Sequence, residues 1–115
     1  MKRKDYRCRC EKVHLEKCKG VCRTYSPIQL AYARKLEDDV GIVSFQCNVP
    51  LCDTTEGEFT TDFVCTKADG DLVVRECVYR NHLTLPRNVK LLDLSRSYWL
   101  NQGVSDWGLV INAEQ

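Results

Sequence analysis

Two closely spaced cysteine pairs, Cys8-Arg9-Cys10 and Cys18-Lys19-Gly20-Val21-Cys22, constrain this chain more than any other feature. Four more thiols follow at Cys47, Cys52, Cys65 and Cys77, giving eight in 115 residues. A domain of this size buries a small core, and an even set of cysteines in it points to covalent or metal cross-links. Residues 80–115 contain none, so a cysteine-rich framework at 8–79 is followed by a cysteine-free extension within a single domain, 1–115.

The eight thiols admit two chemistries. As disulfides, Cys8, Cys10, Cys18, Cys22, Cys47, Cys52, Cys65 and Cys77 form a framework whose connectivity spacing does not select. As thiolates, Cys8, Cys10, Cys18 and Cys22 make up a tetrahedral zinc set, with Cys47, Cys52, Cys65 and Cys77 as a second. The absence of C-x-x-C, and the presence of only His14 and His82, weigh against an ordinary zinc module.

Local signals outline a mainly β chain with one helix. In Ser26-Pro27-Ile28-Gln29, Ser is placed to cap a helix, Pro stands at its first position and Gln completes a capping box. Leu30, Ala33, Leu36 and Val40 continue at helical spacing and Gly41 offers a left-handed cap, which predicts a helix at about 27–39. Short strands are expected around Cys8–Cys22 and at Ile42–Phe45. Phe59, Phe63 and Cys65 alternate as one face of a strand, and Asp69-Gly70 turns the chain into a return strand over Leu72–Tyr79. Val89–Leu100 fits a helix with Leu91, Leu92, Ser95 and Trp99 on one side, or a strand; Trp107, Leu109 and Ile111 alternate like a last strand.

The order of these features resembles the C-terminal cystine-knot superfamily of mucins, von Willebrand factor, norrin and the bone-morphogenetic-protein antagonists. The likeness runs over residues 8–79, through Cys8, the C-x-G-x-C at Cys18–Cys22, and strands ending in Phe63-Val64-Cys65 and Arg75-Glu76-Cys77. It implies a small disulfide-rich, cystine-knot-like fold with Cys18 bonded to Cys77 and Cys8 or Cys10 to Cys65. A glycine inside C-x-G-x-C would there leave room for threading sulfurs. The family's partner for Cys22 would stand at position 79, which is Tyr79, so Cys22 would turn to Cys10, Cys47 or Cys52. The implied function is that of a secreted, extracellular signalling ligand or antagonist that binds a protein receptor or ligand, needs no cofactor and forms a homodimer.

Charge divides the chain further. The net charge is +1, yet residues 1–23 carry nine basic side chains and residues 53–76 carry seven acidic ones. The basic stretch suits glycosaminoglycan or another polyanion. Asp53, Glu56, Glu58 and Asp62 match no calcium loop and read as a solvated loop. No apolar segment follows Met1-Lys2-Arg3-Lys4, and no run reaches transmembrane length. With Met1 as a native start, the chain is instead an intracellular, cytoplasmic or nuclear, zinc-binding regulatory or adaptor module. Its basic N-terminus would then serve nucleic acid or an acidic partner. Nothing sets a general base beside a nucleophile, so neither reading is enzymatic.

Overall fold

The computed structural model describes residues 10–51 and 59–112. Its centre is a four-stranded sheet of β3 (Ile42–Leu51), β4 (Phe59–Lys67), β5 (Leu72–Val78) and β6 (Asp106–Ile111), in that spatial order. A two-stranded antiparallel ribbon, β1 (Glu11–Val13) and β2 (Cys22–Thr24), precedes it. Helix α1 (Pro27–Asp38) lies between the ribbon and the sheet in sequence, and α2 (Pro86–Asn101) between β5 and β6. The domain is small and mainly β, with two sheets and two helices rather than one.

The first three strands pair antiparallel, and Lys67, Gly70 and Asp71 close the β4–β5 turn with Gly70 at φ +93°. Strand β6 runs parallel to β5, from Val73 opposite Asp106 to Val78 opposite Ile111. Parallel neighbours cannot be joined by a hairpin, which is why a whole helix intervenes. That helix takes Pro86 at its first position and ends in a Schellman motif. Gly103, at φ +88°, donates to the Leu100 carbonyl, while Val104 donates to that of Trp99. The cysteine-free segment is therefore integral to the sheet and its packing.

Each face of the sheet carries its own core. Ala33 and Leu36 of α1 pack with Cys18, Cys22, Phe45, Phe63, Cys65 and Val73 on one side. Leu91 and Trp99 of α2 pack with Leu51, Phe59, Val64 and Val74 on the other. Strand β4 is buried on both faces from Phe59 to Cys65, so Thr60, Thr61 and Asp62 are enclosed along with its apolar residues. Phe59 departs from the alternation expected of it. It joins the α2 side with Thr61, whose hydroxyl accepts from the Trp99 indole at 2.8 Å, whereas Phe63 and Cys65 face α1. The faces exchange between Thr61 and Phe63, where Asn48 on the neighbouring strand adopts φ +56°.

Three other local expectations give way for physical reasons. Helix α1 ends at Asp38, leaving Val40 almost wholly exposed, so its buried face is Gln29, Ala33 and Leu36. Gly41 is not the left-handed cap; the Asp39 carboxylate accepts from the Gly41 N–H and closes the turn instead. Asp62 belongs to no solvated loop. It is buried in β4, and with the fully buried Glu76 it bridges a gap in the β4–β5 ladder. The Asp62 N–H donates to Glu76 at 2.9 Å and the Cys77 N–H donates to Asp62 at 2.7 Å. Ser95 of α2 donates to the other Glu76 oxygen and accepts from the Trp107 indole. The remaining acidic positions considered, Asp53, Glu56 and Glu58, lie outside the described residues.

Candidate metal centre

The Cys18–Cys22 turn is shaped by its glycine. Gly20 sits at φ +79°, a region open to glycine and costly for most residues, and a Cβ there would meet nothing within 4 Å. Glycine thus serves backbone conformation at this position rather than clearance for a neighbouring sulfur. The turn is sewn to β3 on both sides of Cys18. Phe45 donates to the Lys17 carbonyl and accepts from the Lys19 N–H, each at 2.9 Å. The Lys17 and Glu16 N–H groups also donate to the Glu37 carboxylate at the end of α1.

This stitching brings Cys22, at the start of β2, against Cys47 of β3. The two sulfurs lie 3.8 Å apart, and those of Cys18, Cys22 and Cys47 all fall within 4.8 Å of one another. Cys18 and Cys22 are buried, while Cys47 is half-buried and reaches an open cleft lined by Val21, Arg23 and Asn48. No other group of three metal-ligating side chains gathers so closely among the described residues.

A chain of buried amides holds the two strands in place. Gln29 accepts from the Tyr25 N–H at 2.8 Å and donates to Asn48 at 2.9 Å; Asn48 donates to the Arg23 carbonyl at 2.8 Å. Arg23 and Asn48 are the residues immediately after Cys22 and Cys47, so the amides set the spacing of the thiols one residue away. The Ser26 hydroxyl caps α1 by accepting from the Gln29 N–H, half of the expected capping box. The Gln29 side chain turns inward instead of back to Ser26. Gln29→Ala leaves the Tyr25 N–H and the Asn48 carbonyl oxygen without these partners in a buried setting. A loss of about 2 kcal/mol in urea unfolding is expected; an unchanged midpoint would remove the amides from this supporting role.

The thiols do not share one acidity. Hydrogen bonding from Cys22 pulls Cys47 down to about 6 against the effect of burial, with the Arg23 backbone N–H and Cys18 contributing. Burial pushes Cys18 up to about 12, and the neighbouring Cys47 adds to the rise. Cys22 is raised as well, first by its hydrogen bond with Cys47 and then by burial. The cluster favours ionisation at Cys47, through two thiols and the backbone N–H groups of Arg23 and Cys47. Backbone N–H donors to sulfur are a recurrent support of thiolate metal sites.

The remaining sequence candidates lie apart. Cys10 is half-buried before β1 and lines a separate cleft with Glu11, Thr24 and Pro27. Cys65 is fully buried opposite Val73, and burial raises it to about 12. Cys77 stands four residues beyond Val73 on β5, roughly 13 Å along the strand and too far to bond Cys65. Among the described residues Cys10, Cys18, Cys22, Cys47 and Cys65 carry free thiols; Cys8 and Cys52 lie outside the described residues. Among the described residues, Cys18 and Cys22 from one of the zinc sets expected from sequence gather with Cys47 from the other. His14 and His82 are exposed, and His82 rests edge-on against Tyr79.

Both signs of charge are exposed here, Glu11 and Glu16 among them. Lys12, Lys19 and Arg23 are exposed on the ribbon and the turn that carry the thiols. Among the described residues no helix is long and apolar enough to cross a membrane. No protein-family model and no curated protein sequence matches this chain.

Proposed function

We propose that this chain is an intracellular binding module whose N-terminal ribbon is fastened to the sheet by a thiolate-bound metal ion. The observation that carries this reading is the convergence of Cys18 and Cys22, at the two ends of one turn, with Cys47 of β3 to within 4.8 Å. Soft sulfur donors select zinc or a comparably thiophilic ion over magnesium or calcium, which require oxygen ligands. Zinc is the ion proposed. Its role is structural: three of the four ligands that a closed zinc site takes come from the turn, β2 and β3, and the metal adds to the core packing that already joins them.

The module's activity is then recognition, in regulation or as an adaptor. The exposed Lys12, Lys19 and Arg23, continuous in sequence with the basic residues before them, suit a polyanion such as nucleic acid or an acidic protein face. The competing reading is a secreted, cystine-knot-like ligand or antagonist, and it makes opposite demands on the same sulfurs.

Intact mass under denaturing, non-reducing conditions, with thiol alkylation and a zinc assay on one sample, separates the two. Complete alkylation with one zinc per chain supports the metal module. A mass lowered by two hydrogens per bridge, with no alkylation and no zinc, would establish the disulfide framework and end the metal reading.

Acidity provides a further check. At pH 7 Cys47 is already largely ionised whereas Cys18 and Cys22 hold their protons, so loading zinc on these three thiols releases about two protons. Below pH 6 Cys47 is protonated too, and the release climbs to about three while affinity falls. Calorimetry in buffers of different ionisation enthalpy counts the protons; a release that does not change with pH would contradict this ordering of the thiols.

A further inference from the structure

We propose that Cys47 and Cys22 form a reversible disulfide under hydroperoxide oxidation, which makes the thiol cluster a modification site that opens the metal centre. The pairing rests on geometry. The Cys22 and Cys47 sulfurs stand 3.8 Å apart, and a disulfide closes them to about 2.05 Å. Cys47 is the one member of the trio that is not buried, and its cleft, between Val21, Arg23 and Asn48, admits a molecule as small as hydrogen peroxide. Cys22 has no exposed surface, so it meets oxidant only through Cys47. Cys18, within 4.8 Å of both sulfurs, is the competing partner that the mapping below tests.

The chemistry balances in two steps. The Cys47 sulfur attacks one peroxide oxygen, the O–O bond breaks, and Cys47 becomes a sulfenic acid while one water departs. The Cys22 sulfur then attacks the sulfenic sulfur, its proton leaves with the hydroxyl as a second water, and the S–S bond forms. Two thiols lose two electrons in all, and one peroxide is reduced to two waters. A thiol reverses the bond by exchange. The amide chain through Gln29 and Asn48 holds both backbones at bonding range throughout. Loss of metal on oxidation rests on the metal reading above; the disulfide itself does not, since Cys18 alone would remain of the three ligands.

The test is peptide mapping of the full chain, metal-free and zinc-loaded, before and after hydrogen peroxide, with a chromophoric chelator reporting released zinc. Expected is a Cys22–Cys47 bridge that dithiothreitol removes, with zinc appearing in step with the bridge in the loaded sample. Cys18→Ala should retain the bridge, and Cys22→Ala should leave a sulfenic acid on Cys47 that dimedone traps. A bridge in protein that never binds zinc upholds this proposal and overturns the metal reading. Zinc binding without the bridge, or Cys18 bonded as often as Cys22, overturns this proposal and leaves the metal reading standing. The mapping of the unmodified chain decides even where a variant fails to fold.

Discussion

Stripping zinc from the loaded protein with a chelator is expected to lower its melting temperature by roughly 10–20 °C, from about 4 kcal/mol of lost stability. The magnitude follows from linkage: an ion that binds only the folded chain stabilises it by about 4 kcal/mol when free metal exceeds its dissociation constant a thousandfold. The structure says where the loss should fall. The ribbon and the Cys18–Cys22 turn are joined to the rest by the bridge at Phe45, the Gln29–Asn48–Arg23 amides, the Glu37 carboxylate, the core packing of Cys18 and Cys22, and the sulfurs. The second core, formed by α2 with Phe59, Val64, Val74 and Trp99, contains no thiol and should hold longer. Hydrogen exchange with and without chelator is therefore expected to deprotect β1, β2 and the turn first. A melting curve indifferent to chelator, in protein shown to contain zinc, would sink the structural role assigned to the metal.

Phe63→Ala is expected to cost about 3–5 kcal/mol in urea unfolding, enough to leave much of the protein unfolded at 37 °C. Phe63 has no exposed surface and occupies the middle of β4, the strand covered on both faces. Its ring meets Tyr32 of α1 edge-on at 5.4 Å and Phe45 of β3 at 6.0 Å. Truncation loses both ring contacts and opens a cavity that three elements would have to shift together to fill. Val40→Ala is the natural control, because that side chain is 96% exposed and should change stability by less than about 0.5 kcal/mol. A Phe63→Ala cost near that of the control would mean that the two aromatic contacts contribute nothing and the α1-side core can collapse freely.

Elements whose chemistry is local were readable residue by residue. Ser26 before Pro27 names the start of α1 because one hydroxyl and one fixed φ act within a single turn. Asp69-Gly70 names the β4–β5 turn for a similar reason. The second helix was half legible: Leu91, Leu92, Ser95 and Trp99 share its buried side as their spacing suggests. Its ends settle the assignment, since Pro86 fits a first helical position and Gly103 a left-handed one past the last turn. Read together, those two residues distinguish helix from strand where periodicity alone did not. The buried Asp62 and Glu76 were hidden among seven acids over 53–76, because burial depends on what α2 lays over the sheet and charge counts carry no such information.

From its sequence alone the protein's thiol inventory was determined, as were the first helix, the β hairpin at Asp69-Gly70 and a polarised charge pattern: all properties of short stretches of chain. Which thiols meet was decided by tertiary structure. Cys47 lies 25 residues beyond Cys22, and their approach depends on β3 pairing with β4, on Cys18 docking beside Phe45, and on Gln29 and Asn48 joining α1 to two strands. The parallel docking of β6 and the exchange of faces at Asn48 belong to the same class. Each is a contact between segments distant in sequence, where the favourable packing of the whole sheet outweighs any local preference, and spacing along the chain carries no record of it.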